Sequence, residues 1–122
     1  MTPLTFTILG EPVSMKNSRR ILRNRKTGKP FSAKSSAAAK YARDALLQIP
    51  QLPPYQLVFF HGPVSFTATL FYKDARKDLD AELIIDLLQG RVILNDRQVV
   101  EKHLFRKIDK LNPRAVVTVE QL

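Results

Sequence analysis

Asp78 and Asp80 stand two residues apart in the stretch Arg76-Lys77-Asp78-Leu79-Asp80-Ala81-Glu82. Asp74, Glu82, Asp86 and Asp96 bring further carboxylates into the same short span, whereas the whole chain before it carries only Glu11 and Asp44. Crowded carboxylates repel one another, and a cation among them relieves the repulsion. In extended backbone, residues two apart point the same way, so at a strand-to-helix junction Asp78 and Asp80 can both face one ion. Asp96, in a later turn, is the natural third ligand if that turn folds back to the same end of the sheet. Hard oxygen donors with no His or Cys nearby suit Mg2+, with Mn2+ as a substitute, rather than Zn2+. Such an ion can activate water and offset the charge of a phosphodiester under in-line attack. Asp78, Asp80 and Asp96 are therefore the candidate catalytic and metal-binding residues. Each has a plainer reading too, since an Asp at a helix start is commonly a cap and Asn-Asp commonly a turn. Glu82 and Asp86 read as a solvated helix face, and His61 and His103, flanked by apolar residues, as structural. No Ser-His-Asp arrangement and no glycine-rich phosphate loop is present.

The carboxylates sit in a strongly basic chain. Twenty Lys and Arg against eleven Asp and Glu give a formal net charge of +9 over 122 residues, a balance that points to nucleic acid or another anionic surface. The excess is clustered: Lys16, Arg19, Arg20, Arg23, Arg25, Lys26, Lys29 and Lys34 fall between Met15 and Lys34 without one acid. This segment reads as a surface flap, with Lys26-Thr27-Gly28-Lys29-Pro30 as a turn between two short extended arms. Lys16, Arg19, Arg20, Arg23, Arg25, Lys26, Lys29 and Lys77 are the candidate nucleic-acid-binding residues, with Lys34, Lys40 and Arg43 extending that surface. The chain has no Cys, which excludes disulfides, thiolate metal sites and Cys nucleophiles and fits an intracellular protein. No signal peptide and no apolar run of about 20 residues is present, so neither secretion nor a membrane partner is expected.

The elements that must carry these residues follow from periodicity. Leu4 to Glu11 alternates as a strand with Phe6 and Ile8 on one face. Ser32 to Ile49, rich in Ala, reads as a helix with an apolar stripe of Ala38, Ala42, Leu46 and Ile49, ended by Pro50, Pro53 and Pro54. Gln56 to Tyr72 reads as a hairpin or a long strand broken at His61-Gly62-Pro63, with Val64, Phe66, Ala68 and Leu70 inward. Leu79 to Gln89 is expected to be a helix closed by Gly90. Val92 to Leu94 is expected as a short strand and Asn95-Asp96 as a turn. Gln98 to Phe105 and Ala115 to Gln121 are expected to finish the sheet as a hairpin through Asn112-Pro113. The expected architecture is a single small α+β domain over residues 1–122, with a mixed sheet of about four to five strands and two main helices.

Lys77-Asp78-Leu79-Asp80, a helix, and then Leu94-Asn95-Asp96-Arg97-Gln98-Val99-Val100 together resemble the RusA family of Holliday-junction resolvases. The strand leading into the acidic pair, the closing strands and the basic segment after Pro12 resemble that family's layout as well, so the likeness covers most of the chain. It implies a homodimeric endodeoxyribonuclease that uses Mg2+ to make paired nicks in branched, four-way DNA during recombination and repair. It further implies a cytoplasmic, nucleoid-associated protein of a kind carried by prophages, with Asp78, Asp80 and Asp96 as metal ligands. Two positions depart from the family pattern. Ala81 stands where the family has Asn, and Ile84 where it has a catalytic Lys, with no Lys between Ala81 and Leu94. Arg76, Lys77, Arg91 or Arg97 are the cations that could supply the missing charge, although an Arg cannot shuttle protons as a Lys can. The alternative reading is a junction- or DNA-binding protein of the same descent that does not cut.

Overall fold

The computed structural model describes residues 3–14, 19–23, 30–34 and 36–122, and side chains only for 3–14 and 36–122. In chain order the elements are β1 (Leu4–Leu9), β2 (Arg19–Arg23), β3 (Pro30–Lys34), α1 (Ser36–Leu46), β4 (Val64–Tyr72), α2 (Glu82–Leu88), β5 (Val99–Ile108) and β6 (Arg114–Gln121). A 3-10 turn, Asp96–Gln98, precedes β5. β1, β4, β5 and β6 form a mixed four-stranded sheet in the order β1-β6-β4-β5, and β2 pairs with β3 in a separate antiparallel ribbon. With its two helices this is a small α+β fold.

β4 alternates between fully buried and half-buried positions along its whole length. Phe66, Ala68 and Leu70 on its inner face are 0% exposed. Such a strand needs a ladder partner on both sides, and it has them: β6 antiparallel on one side and β5 parallel on the other. The inner faces of β1, β4 and β6 share one core with Ala38, Tyr41 and Ala45 of α1 and Leu83, Ile84, Ile85 and Leu88 of α2. The small side chains of α1 let its backbone approach closely, as the alanine run suggests.

The closing hairpin expected from the sequence does not form. β5 and β6 are joined by residues 109–113 but lie on opposite sides of β4, and the connection crosses the end of β4 where the Asp109 N–H donates to Tyr72 O at 2.8 Å. The inner-face positions of β5, opposite Phe66 and Leu70, are Lys102 and Arg106. A strand with charges there belongs at a sheet edge, where long side chains can reach solvent. The first helix begins at Ser36, not Ser32, because residues 30–34 pair with β2 as an extended arm. Residues 56–63 form no strand, only isolated bridges Leu52–Leu57 and Phe60–Ile93, and Val92 to Leu94 contributes no more than its share of the latter and a bridge to Gln89. The second helix is shorter than expected, starting at Glu82, and Gly90 closes it with φ +84.

Candidate functional site

The acidic stretch leaves the end of β4 and runs back along the inner face of β5. Two contacts fix its course. The Arg106 guanidinium donates to Lys77 O at 2.8 Å, and Lys102 Nζ bonds Glu82 Oε1. Arg106 lies opposite Leu70 and Lys102 opposite Phe66, so residues 77–82 run alongside the edge strand from the level of Leu70 to that of Phe66.

Within that stretch the two aspartates are held differently. The Tyr72 hydroxyl, on a side chain 1% exposed, donates to the backbone carbonyl of Asp78 at 2.9 Å. Burial pushes the Tyr72 phenol above its ordinary pKa; a hydrogen bond from the Asp80 backbone and the Arg106 charge pull it partly back, while the Asp80 and Glu11 charges push it up. Asp80 uses both carboxylate oxygens. Oδ1 accepts from the Glu82 N–H at 2.8 Å, and Oδ2 from the Ser14 hydroxyl at 2.9 Å. The first bond satisfies a free donor at the start of α2, whose own N-cap residue, Ala81, has no side-chain cap. These two bonds orient the Asp80 carboxylate.

Glu11 adds a further carboxylate at the edge of the site. It accepts the Lys73 N–H at 2.7 Å and stands 4.0 Å from Lys77 Nζ. Beside it, Asp74, Arg76 and Lys77 line a cleft of about 340 Å3. The Arg76 guanidinium, 3.0 Å from Asp74, holds that carboxyl below its ordinary pKa.

Asp96 is not gathered into this group. Parallel pairing sets the start of β5 beside the start of β4, Val99 opposite Val64, whereas the acidic stretch leaves from beyond Tyr72. The acidic stretch returns along β5 only as far as Lys102, opposite Phe66. The turn carrying Asp96 is tied at the near end. Gln98 Nε2 donates to Phe60 O at 3.0 Å and Gly62 O at 2.9 Å, and Gln98 Oε1 accepts from Leu94 N at 2.6 Å and Asn95 N at 3.0 Å. Asn95 caps the turn, accepting from Arg97 N at 2.9 Å. The turn carrying Asp96 thus opens β5 at the Val64 end of the sheet. Among the described residues no three His, Cys, Asp or Glu side chains come together as a metal cage. The donor set that remains, the Asp78 and Asp80 carboxylates, suits Mg2+, which is commonly held by one or two carboxylates and keeps several waters.

Three of the four cations named as substitutes for a lysine are engaged elsewhere, and the fourth, Lys77, stands 4.0 Å from Glu11. Arg91 donates to Leu46 O at 3.2 Å, capping the last carbonyls of α1; Arg97 reaches Asn95 Oδ1 at 3.4 Å; Arg76 pairs with Asp74. Ile84 itself is a core residue, 2% exposed, so a lysine there would lie in the apolar interior. His61 and His103 are exposed rather than structural, His103 lying 3.3 Å from Glu101.

Of the candidate DNA-binding residues, Arg19, Arg20 and Arg23 lie on β2, with Arg19 opposite Lys34 and Arg23 opposite Pro30. Lys77 is exposed in the acidic stretch, and Lys40 and Arg43 are exposed on α1. Lys16, Arg25, Lys26 and Lys29 lie outside the described residues. Sequence reasoning missed Glu11, Ser14, Tyr72, Lys102 and Arg106. Ser14 meets Asp80 across 66 residues and Glu11 meets Lys73 across 62, so no local pattern could reveal either. Lys102 and Arg106 did leave a signal: charges four apart on the face of β5 that alternation reserves for the core.

No known protein family matches the chain, and no curated protein matches it. No helix among the described residues is long and apolar enough to cross a membrane.

Proposed function

We propose that the protein is a Mg2+-dependent endodeoxyribonuclease of the RusA kind, acting as a homodimer on branched DNA. The observation that carries this reading is the Asp78–Asp80 pair, held on the exposed flank of an edge strand in a chain of net charge +9. A bound Mg2+ supplies an activated water and charge neutralisation at the phosphodiester. The chain's own residues do the rest. Tyr72 sets the backbone at Asp78; Ser14 and the Glu82 N–H turn the Asp80 carboxylate; the arginines of β2 and the lysines around them hold phosphates. Asp96, expected as a third ligand, stands apart and contributes no geometry to this reading. A two-fold dimer would present two such sites to a pseudo-symmetric junction.

The decisive experiment incubates the protein with a synthetic four-way junction and Mg2+ or Mn2+. Paired nicks are expected from the wild type, and binding without cutting from Asp80→Asn, whose Oδ1 can still accept the Glu82 N–H. A wild type that binds junctions but never cuts with either ion sinks the nuclease reading. Replacing Arg19, Arg20 and Arg23 together by Ala should weaken binding and flatten its salt dependence, because fewer counterions are released. An unchanged salt slope removes β2 from the DNA surface.

The buried Ile84 favours a second reading, a junction-binding protein that does not cut. The same cutting assay separates the two.

A further inference from the structure

We infer that Lys102 and Arg106, on the inner face of β5, form a phosphate-binding wall for the carboxylate site, gripping the phosphodiester backbone beside Asp78 and Asp80. This inference rests on the nucleic-acid reading above and goes beyond it by assigning two residues in an element not otherwise linked to DNA.

The geometry starts from register. Lys102 faces the same side of the sheet as Phe66, and Arg106 the same side as Leu70, both 0% exposed. Core periodicity asks for apolar residues at both positions, and Leu104 between them supplies one. The two cations stand about 13 Å apart along the strand. Each reaches the acidic stretch at one end: Arg106 at Lys77 O, just before Asp78, and Lys102 at Glu82, just after Asp80 and Ala81. Asp78 and Asp80 are thus bracketed by positive charge supplied from across the sheet edge.

Electrostatics then explains why the arrangement suits an anion. A polyanion approaching Asp78, Asp80 and Glu82 meets like charge, and only cations at the same place make the approach favourable. The Lys102–Glu82 pair is open to water, its side chains 41% and 53% exposed. Exposed pairs of this kind add little stability, so Lys102 can exchange Glu82 for a phosphate oxygen at little cost. Arg106 uses one N–H on Lys77 O, and a guanidinium carries five donors in a fork matched to phosphate. The cleft lined by Asp74, Arg76 and Lys77 adjoins this wall at Lys77, whose carbonyl Arg106 binds.

A competing account makes both residues mere staples that fasten the acidic stretch to β5. Lys102→Gln and Arg106→Gln keep a side-chain N–H donor at each position while removing the charge, and thermal unfolding of each variant checks that the acidic stretch stays fastened, so they separate stapling from phosphate contact. The experiment measures binding of a fluorescent four-way junction by anisotropy across a salt series, in chelator without divalent ions. It is run on the full chain for wild type, each single variant, the double variant and Lys110→Gln as a charge control outside the wall. Each phosphate contact adds roughly 0.9 to the slope of log affinity against log salt. The expected result is a loss of about one slope unit per single variant and about two for the double, at least about tenfold weaker binding for the double, and an unchanged slope for Lys110→Gln. A double variant with the wild-type slope overturns the wall while leaving the DNA reading standing. An equal slope loss in Lys110→Gln also overturns it, because the effect is then one of net charge. A wild type that binds no branched DNA overturns both this inference and the function it rests on.

Discussion

Asp80 is fixed from two directions, by a backbone donor two residues ahead and by a hydroxyl far away in sequence. Asp78 is held through its backbone carbonyl by the Tyr72 hydroxyl. That bond makes Tyr72 a positioning residue with a specific prediction. Tyr72→Phe removes one hydrogen bond, worth about 1 kcal/mol of stability. It lets the Asp78 backbone drift, and a displacement of about 1 Å near reacting atoms can cost on the order of a hundredfold in rate. Junction cutting should therefore fall about tenfold to a hundredfold, while junction binding without metal stays at the wild-type value. Equal losses in both measurements would show that Tyr72 acts on the fold and not on the site.

At the scale of elements, α2 is too short to stabilise itself. It spans Glu82–Leu88, seven residues, and an isolated helix of that length is unstable in water. Its persistence comes from Leu83, Ile84, Ile85 and Leu88 in the core, from the Asp80 oxygen at its start and from Gly90 at its end. At φ +84, Gly90 holds a backbone conformation that side-chain-bearing residues disfavour, yet a Cβ there would meet nothing within 4 Å. Gly90→Ala should accordingly cost about 1 kcal/mol from the backbone alone, and Gly90→Asn less, since Asn tolerates that region. Urea denaturation of the two variants checks the order. A larger loss for Asn would mean that space and not φ decides the position.

For the whole molecule, buried phenols set the alkaline limit. Burial raises the pKa of both Tyr41 and Tyr72 above the ordinary value of 10.0, and the Tyr72 charge pushes Tyr41 further in the same direction. Both groups stay neutral in the folded chain, while in the unfolded chain they ionise near the ordinary value. Their contribution is therefore fully present below about pH 10 and is lost as pH rises through the folded-state values. The midpoint of thermal unfolding should fall as pH is raised above about 10. The fall should be shallower in Tyr41→Phe and in Tyr72→Phe, as followed by circular dichroism. An identical alkaline fall in both variants would assign the limit to other groups.

Much of this was written in local pattern. The alternation of residues 64–72 reports a buried strand because the side-chain period of two cannot be disguised, and β4 is found where it was read. The acidic pair and the charge-clustered segment were legible because charge is a property of the residue itself, wherever the chain takes it. What the sequence could not supply was the partner of each strand. Asn112-Pro113 marks a turn correctly, but whether a turn joins neighbours or crosses a third strand depends on which strand most needs burial on both sides, and β4 took the place between β5 and β6. From that one decision the rest follows. Parallel pairing of β5 with β4 sets the Asp96 turn at the Val64 end of the sheet and lays Lys102 and Arg106 along the acidic stretch. The sequence by itself determined that carboxylates and cations would be present in quantity. Tertiary structure alone decided which of them meet, because that proximity comes from strand order and register rather than from spacing along the chain.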